Sequence, residues 1–108
     1  MVEKKVRYEK GELLSLQEVV EELLPKDQTA FVEVQRDQPG QAHPSHTHPN
    51  DEILHILSGC LHFQADGTMV DCSEGDRIYL PKGTLHGSVA GAEGCTYVIS
   101  IRKEDEPT

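Results

Sequence analysis

Two histidines and a glutamate in the middle of the chain have a spacing that suits metal binding. His46 and His48 are one residue apart, so a strand places both imidazoles on one face, whereas a helix would splay them by about 200°. Pro44 disfavours a helix here, and Glu52 shares the parity of the two histidines, although a bend at residues 49–51 weakens that argument. Two imidazoles and a carboxylate that point inward are costly unless paired, and a divalent cation satisfies all three. The pattern predicts a metal site that a further ligand, from elsewhere in the chain, completes.

The neighbouring histidines are not expected to bind the metal. His43 differs in parity from His46 and lies in a proline-containing stretch, so we predict a solvated loop residue. His55 has the opposite parity to Glu52 and is expected to face away from the pocket. His62 lies in a predicted strand and is not chosen as a ligand.

The cysteines and two tyrosines have ordinary expected roles. Cys60, Cys72 and Cys95 are odd in number and form no CxxC pair, so neither a disulfide framework nor a thiolate zinc site is indicated. Tyr79, Tyr97 and Cys95 could line a pocket or transfer a proton, but core packing is the expected role.

The segment that must position these groups, residues 29–102, has the pattern of short strands. Apolar and polar residues alternate there between turn signals, of which Asp66-Gly67 is the clearest hairpin turn. The predicted strands are residues 29–36, 51–57, 60–64, 69–72, 77–80, 86–89 and 95–101. Many short strands without intervening helices predict an all-β, single-domain antiparallel β-barrel or jelly roll. Residues 103–108 are expected to be a disordered tail.

The N-terminal segment, residues 1–28, contains one predicted helix at about residues 15–24. Ser15 and Glu18 form a capping-box pattern, and Pro25 ends the helix. One face of this helix is apolar and comprises Leu16, Val19, Val20, Leu23 and Leu24. We expect that face to cap the open end of a barrel or sheet.

Length and charge bound the class of partner. The chain has 108 residues, with 10 Lys+Arg and 19 Asp+Glu, for a net charge of −9. This acid excess argues against nucleic acid and against a basic membrane-surface helix. No stretch approaches the roughly 18 apolar residues of a membrane span, and the N-terminus lacks an apolar leader. We expect a cytoplasmic protein with a small-molecule ligand and neither a nucleic-acid nor a membrane partner.

Two motifs in residues 29–102 resemble those of the cupin family. The first runs Gly40-x5-His46-x-His48-x3-Glu52-x6-Gly59, and the second runs Gly75-x5-Pro81-x-Gly83-x2-His86. The one departure is Ala90, where the family often has Asn at a position that is not a ligand. The motifs cover residues 40–90, and the flanking strands extend the resemblance to about residues 29–102.

The resemblance implies a small β-barrel in which His46, His48, Glu52 and His86 converge on one divalent transition metal. This ligand set suits Mn, Fe, Ni, Cu or Zn, so the identity of the metal stays open. In octahedral geometry, four protein ligands leave two positions for water, dioxygen or a bidentate substrate. Since cupins commonly pair, the resemblance also implies a homodimer.

Three functions remain open on the sequence. The first is a metalloenzyme that binds a small molecule with vicinal oxygens and catalyses isomerisation, decarboxylation or, as a dioxygenase, oxidation. The second is a non-catalytic, metal-dependent binding module that reports a small molecule to a partner. The third is a structural or storage barrel, which the complete ligand set disfavours. The barrel segment has few basic residues, so a neutral or mono-anionic ligand is expected.

Overall fold

A computed structural model describes residues 5–11, 13–24 and 30–102. The described elements are β1 (Arg7–Glu9), α1 (Leu16–Leu23), β2 (Ala30–Asp37), β3 (Ala42–His46), β4 (Asp51–Ala65), β5 (Thr68–Ser73), β6 (Arg77–Leu80) and β7 (His86–Arg102). Every strand pair is antiparallel, which confirms the predicted all-β class. Pro25 and the tail at 103–108 lie outside the described residues, and what was predicted of them stays a prediction.

Two long strands, β4 and β7, run through both halves of the barrel. The first part of β4 pairs with β6 and with the last part of β7, whereas the rest of β4 pairs with β5 and with the start of β7. The strand order is therefore β1-β6-β4-β7-β2 in one half and β5-β4-β7-β3 in the other. Since the long strands continue from one half into the other, the two halves enclose a common interior, as in a jelly roll.

The strand breaks predicted inside β4 and β7 are wrong. Each of these strands is continuous, with register irregularities between Ile56 and Ser58 and between Gly59 and Leu61. Gly59 has a φ of 81°, and a Cβ there would collide with the backbone carbonyl of Gly94. The glycines therefore mark bulges where two bent strands approach closely, and not turns. The short strands β1 and β3 were not predicted.

The core fills the space between the two halves of the barrel. Its buried members are Leu54, Ile56, Leu61, Phe63, Ala65, Cys72, Ile78, Leu80, Ala90, Cys95 and Tyr97. Ala90, which replaces the family's Asn, is therefore part of the apolar interior. The three cysteines are free thiols, and burial raises the pKa of Cys72 to about 11 and that of Cys95 to about 12.

Helix α1 begins with the predicted capping box. Glu18 donates its backbone N–H to Ser15 Oγ at 3.1 Å, and Glu18 Oε1 accepts the Ser15 N–H at 3.0 Å. The buried residues of α1, Val19 and Leu23, pack against Val98 of β7 and against partly buried residues of β2 and β4. The helix therefore covers the outer face of the sheet and does not cap an open end of the barrel. Among the described residues, no helix is both long enough and apolar enough to cross a membrane.

Candidate metal centre

Three histidines converge at one side of the barrel interior. His46 ends β3, His48 follows it in the connection to β4, and His86 begins β7 directly opposite His46. Their ring centroids are 4.5 to 4.9 Å apart, and one ring nitrogen of each lies within 4.8 Å of the others. His46 is exposed, His48 is half-buried and His86 is buried, so the cluster can be reached from solvent.

Backbone carbonyls orient two of these rings. His46 Nδ1 lies 2.6 Å from the carbonyl oxygen of Pro44, and His86 Nδ1 lies 2.8 Å from that of Thr84. Because a carbonyl only accepts, each Nδ1 donates its hydrogen, and in the neutral ring each Nε2 then keeps a lone pair. His46 Nε2 lies 2.9 Å from His48 Nε2. Two nitrogens bound at about 2.1 Å and at right angles to one ion are about 3.0 Å apart, so these donors fit a transition metal.

Burial favours the neutral, ligating form of the two less exposed rings. It lowers the pKa of His48, and the neighbouring His46 lowers it further. Burial also lowers the pKa of His86. The hydrogen bond to the Thr84 carbonyl opposes this shift, and the neighbouring His46 and His48 lower the pKa further. Since a metal binds imidazole only in its neutral form, both shifts favour metal binding.

Glu52 lies beside the three histidines at the start of β4. Its Oε2 is 3.6 Å from His48 Nε2, and the residue is 7% exposed. Burial raises the pKa of its carboxyl to about 7, an effect that Glu33 increases and His46 reduces. The compact nitrogen cluster contains His46, His48 and His86, and Glu52 stands next to it as the available fourth donor.

A cavity of about 120 Å³ adjoins the cluster. One part of its wall is apolar and consists of Leu54, Phe63 and Ile99. The ring of Phe63 stacks on that of His86, with centroids 5.8 Å apart, and so fixes the inner side of the cluster. Polar side chains form another part of the wall, namely Gln35, His43, Ser88 and Tyr97.

The prediction for His43 is wrong. His43 lies in β3, where it pairs with Ser88, and its side chain lines the cavity. Its pairing with β7 is offset by one residue from that of His46, so a bulge reverses the parity between the two histidines. A Cβ on Gly87 would lie 2.9 Å from the His43 carbonyl oxygen, so glycine at 87 allows the bulged segment to approach β7.

A buried carboxylate holds the polar wall together. The side chain of Asp37 is fully buried and accepts hydrogen bonds from Gln35 Nε2, His43 Nε2 and the Tyr97 hydroxyl, each at 2.9 Å. Burial by itself would raise the pKa of Asp37, but these three bonds hold it below its usual value. Burial and the bond to Asp37 raise the pKa of Tyr97. Gln35 and Asp37 carry no motif, so only the register of β2 against β7 reveals them.

The remaining histidines lie outside the cavity. His55 is buried on the opposite face of β4, where its Nδ1 accepts a hydrogen bond of 3.1 Å from Arg77 Nε. Arg77 also donates to Glu22 Oε1 of α1 at 2.6 Å. His62 faces outward and bonds Asp71 on β5 at 2.7 Å.

Comparison with known proteins assigns the strand-rich segment to one family. The sequence profile of the Cupin domain family matches residues 33–101. Over 61 residues the chain is 30% identical to nitrosourea synthase from Streptomyces achromogenes subsp. streptozoticus, a match that covers 56% of this chain. It covers only 13% of that enzyme, so the chain corresponds to a small part of this curated relative.

Solved structures share the architecture. An RmlC-like cupin from Shewanella frigidimarina NCIMB 400 superposes with a TM-score of 0.66 at 19% identity, over 72% of this chain and 69% of that one. DMSP lyase DddQ from Ruegeria pomeroyi DSS-3 also gives a TM-score of 0.66, at 25% identity, over 74% of this chain and 41% of that one. The likeness to the RmlC-like cupin, at 19% identity, establishes the fold alone.

Proposed function

Because this chain belongs to the cupin family, we propose that it is a small metalloenzyme. In this proposal His46, His48, His86 and Glu52 hold one divalent transition metal, and the substrate is a small oxygen-bearing organic molecule. The observation that carries the proposal is the cluster of three imidazoles beside a cavity. A cluster that served only to brace the barrel would not need this adjoining space.

The residues around the metal position divide into ligands and walls. The ion would supply Lewis-acid polarisation of a substrate oxygen and, for a redox-active metal, electron transfer. Phe63 and Leu54 exclude water from the inner side of the cavity, while Gln35 and Ser88 offer hydrogen bonds to a polar substrate. Glu52 is the carboxylate nearest to the cluster and can accept a proton whenever it is not a ligand.

The size of the cavity restricts the substrate. Ligand pockets for drug-sized molecules have volumes of about 300–1,000 Å³, and this cavity has about 120 Å³. The site therefore suits a molecule of few non-hydrogen atoms. The buried carboxylate of Asp37 lies directly behind the cavity wall, which favours a neutral or mono-anionic substrate over a dianion.

The relatives do not select a reaction. By name, nitrosourea synthase and DMSP lyase are enzymes of different kinds, and both share this domain. These likenesses support a catalytic use of the barrel, whereas the type of chemistry depends on the metal and on the cavity wall. Isomerase, decarboxylase and dioxygenase reactions all remain within the proposal.

Metal analysis tests the proposal first. Untagged protein purified without oxygen should contain, or bind on addition, close to one first-row transition metal per chain. The His86→Ala variant should lose most of this metal because it lacks a buried ligand. The His62→Ala variant is the matched control, since it removes a histidine outside the cavity, and should retain the metal. A wild-type protein that neither carries nor binds such a metal contradicts the proposal.

Turnover distinguishes an enzyme from a binding module. Metal-loaded protein would be incubated with small hydroxy ketones, diketones and hydroxy acids, and oxygen uptake and product formation would be followed. We expect conversion of one of these classes, and loss of that conversion in His46→Ala but not in His62→Ala. Tight retention of a ligand without conversion would instead indicate a metal-dependent binding module.

A further inference from the structure

The hydrogen-bonded group of Asp37, His43 and Tyr97 lies outside the cluster of His46, His48 and His86, yet two of its members line the cavity. His43 and Tyr97 both line the cavity, on strands β3 and β7. Asp37, at the end of β2, lies behind them with its carboxylate fully buried. Three strands therefore contribute to one polar wall beside the histidine cluster.

The carboxylate of Asp37 determines which nitrogen of the His43 ring carries the hydrogen. An ionised carboxylate only accepts hydrogen bonds, so the His43 Nε2 that lies 2.9 Å from Asp37 Oδ1 must donate. In the neutral ring the second nitrogen, Nδ1, is then an acceptor. The bonds from Gln35 and Tyr97 to the same carboxylate prevent Asp37 from turning away. His43, which lines the cavity, thus has Nδ1 left as its acceptor, and the bond to Asp37 holds the ring in place.

We propose that His43 contacts the small molecule held at the cluster of His46, His48 and His86, and selects for one that carries a hydroxyl group. A hydroxyl is a hydrogen-bond donor that matches the acceptor on His43. The ligand class is therefore a small hydroxy acid or hydroxy ketone, in preference to the diketone or simple carboxylate of the same size. Asp37 and Tyr97 are positioning residues, since they act on the ligand only through His43. This inference rests on the proposed function, because the ligand is held by the metal.

Glycolate and acetate provide a direct test, because they are small mono-anions that differ by one hydroxyl group. Co(II)-loaded protein would be titrated with each anion, and the visible absorption of the ion would report binding. The quantity of interest is the ratio of the two dissociation constants, acetate over glycolate. This ratio should fall by about tenfold in His43→Phe, as expected for loss of one hydrogen bond.

Two further variants separate ligand contact from structural effects. Asp37→Asn should also lower the ratio, because the amide no longer requires His43 Nε2 to be the donor. His62→Phe is the matched control: it removes another histidine that bonds an aspartate, Asp71, but lies outside the cavity, and should leave the ratio unchanged. If Asp37→Asn does not fold, His43→Phe alone decides, since the His43 side chain is 33% exposed and tolerates substitution better.

The outcomes separate this inference from the proposed function. Cobalt stoichiometry is measured for every variant, and His43→Phe should bind as much cobalt as the wild type. An equal ratio in wild type and His43→Phe, with cobalt bound, overturns the inference and leaves the metal site intact. Loss of cobalt from His43→Phe would make His43 a metal ligand and would also overturn it. A wild-type protein that binds no cobalt would overturn both.

Discussion

The buried carboxyl of Glu52 should destabilise the metal-free protein at neutral and alkaline pH. In the metal-free protein the Glu52 carboxyl is buried, and its Oε2 lies 3.6 Å from the His48 ring. Burial raises the pKa of this carboxyl from 4.5 to about 7. The Glu52→Gln substitution removes the ionisation while keeping a side chain of nearly the same shape.

The sign and size of the effect follow from linkage between protonation and folding. Between the unfolded and folded pKa values, the folded protein keeps a proton that the unfolded chain has lost, so stability falls as pH rises. A shift from 4.5 to about 7 corresponds to about 3 kcal/mol, at about 1.4 kcal/mol per pKa unit. The penalty from the Glu52 carboxylate is therefore absent below pH 4.5, grows as the pH rises through the interval, and reaches its full size of about 3 kcal/mol above pH 7.

Urea unfolding measures this effect. Free energies of unfolding would be determined for chelator-treated wild type and Glu52→Gln between about pH 5 and pH 8, where other groups cancel in the difference. The advantage of Glu52→Gln should grow by about 2 to 3 kcal/mol across this range. Excess metal should reverse the order at pH 8, since only the wild type keeps the carboxylate that we propose as a ligand. A difference that does not change with pH would refute the argument that Glu52 is buried beside the histidines.

Three other predictions concern the scaffold. Gly59→Ala should cost well over 3 kcal/mol because its Cβ would meet the Gly94 carbonyl, whereas Gly83→Ala, with a φ of 77° but open space, should cost about 1 to 2 kcal/mol in the same urea assay. Equal costs would contradict the close approach of β4 and β7. Glu22→Ala should cost about 2 kcal/mol, because it leaves the nearly buried Arg77 without its anion, while Glu21→Ala should have no measurable effect. The homodimer remains a prediction of the resemblance. Since β2 ends the described strand order and pairs there with β7 alone, we expect light scattering to give twice the 12.0 kDa chain mass, and a monomer at micromolar concentration would contradict it.

Local patterns predicted those parts of the fold whose residues carry a recognisable pattern over a few consecutive positions. The capping box of Ser15 and Glu18 lies within one turn of helix, so four consecutive residues suffice to recognise it. The alternation of residues 77–80 likewise predicted strand β6 with its observed bounds. By contrast, β1 has only three residues and exists because it pairs with β6, a contact that no local pattern records.

The candidate metal centre likewise has one part that local spacing predicts and one part that it does not. The spacing of His46 and His48 is local, and a strand-like backbone brings both side chains to one site. His86 lies 38 positions beyond His48, and the spacing of the other donors predicted only that a further ligand completes the site. The resemblance to the cupin family supplied that residue, and the register of β3 against β7 places it opposite His46.

The sequence by itself determined the class of the fold and the donor atoms available to a metal, because both depend on residue type and short-range periodicity. Only the tertiary structure decided which polar side chains share the cavity. The bulge in β3 turns His43 inward, against the parity of its neighbours, because the chain there must match strand β7. Asp37 meets His43 and Tyr97 only when three strands have paired, and no spacing within one strand could have indicated that buried carboxylate.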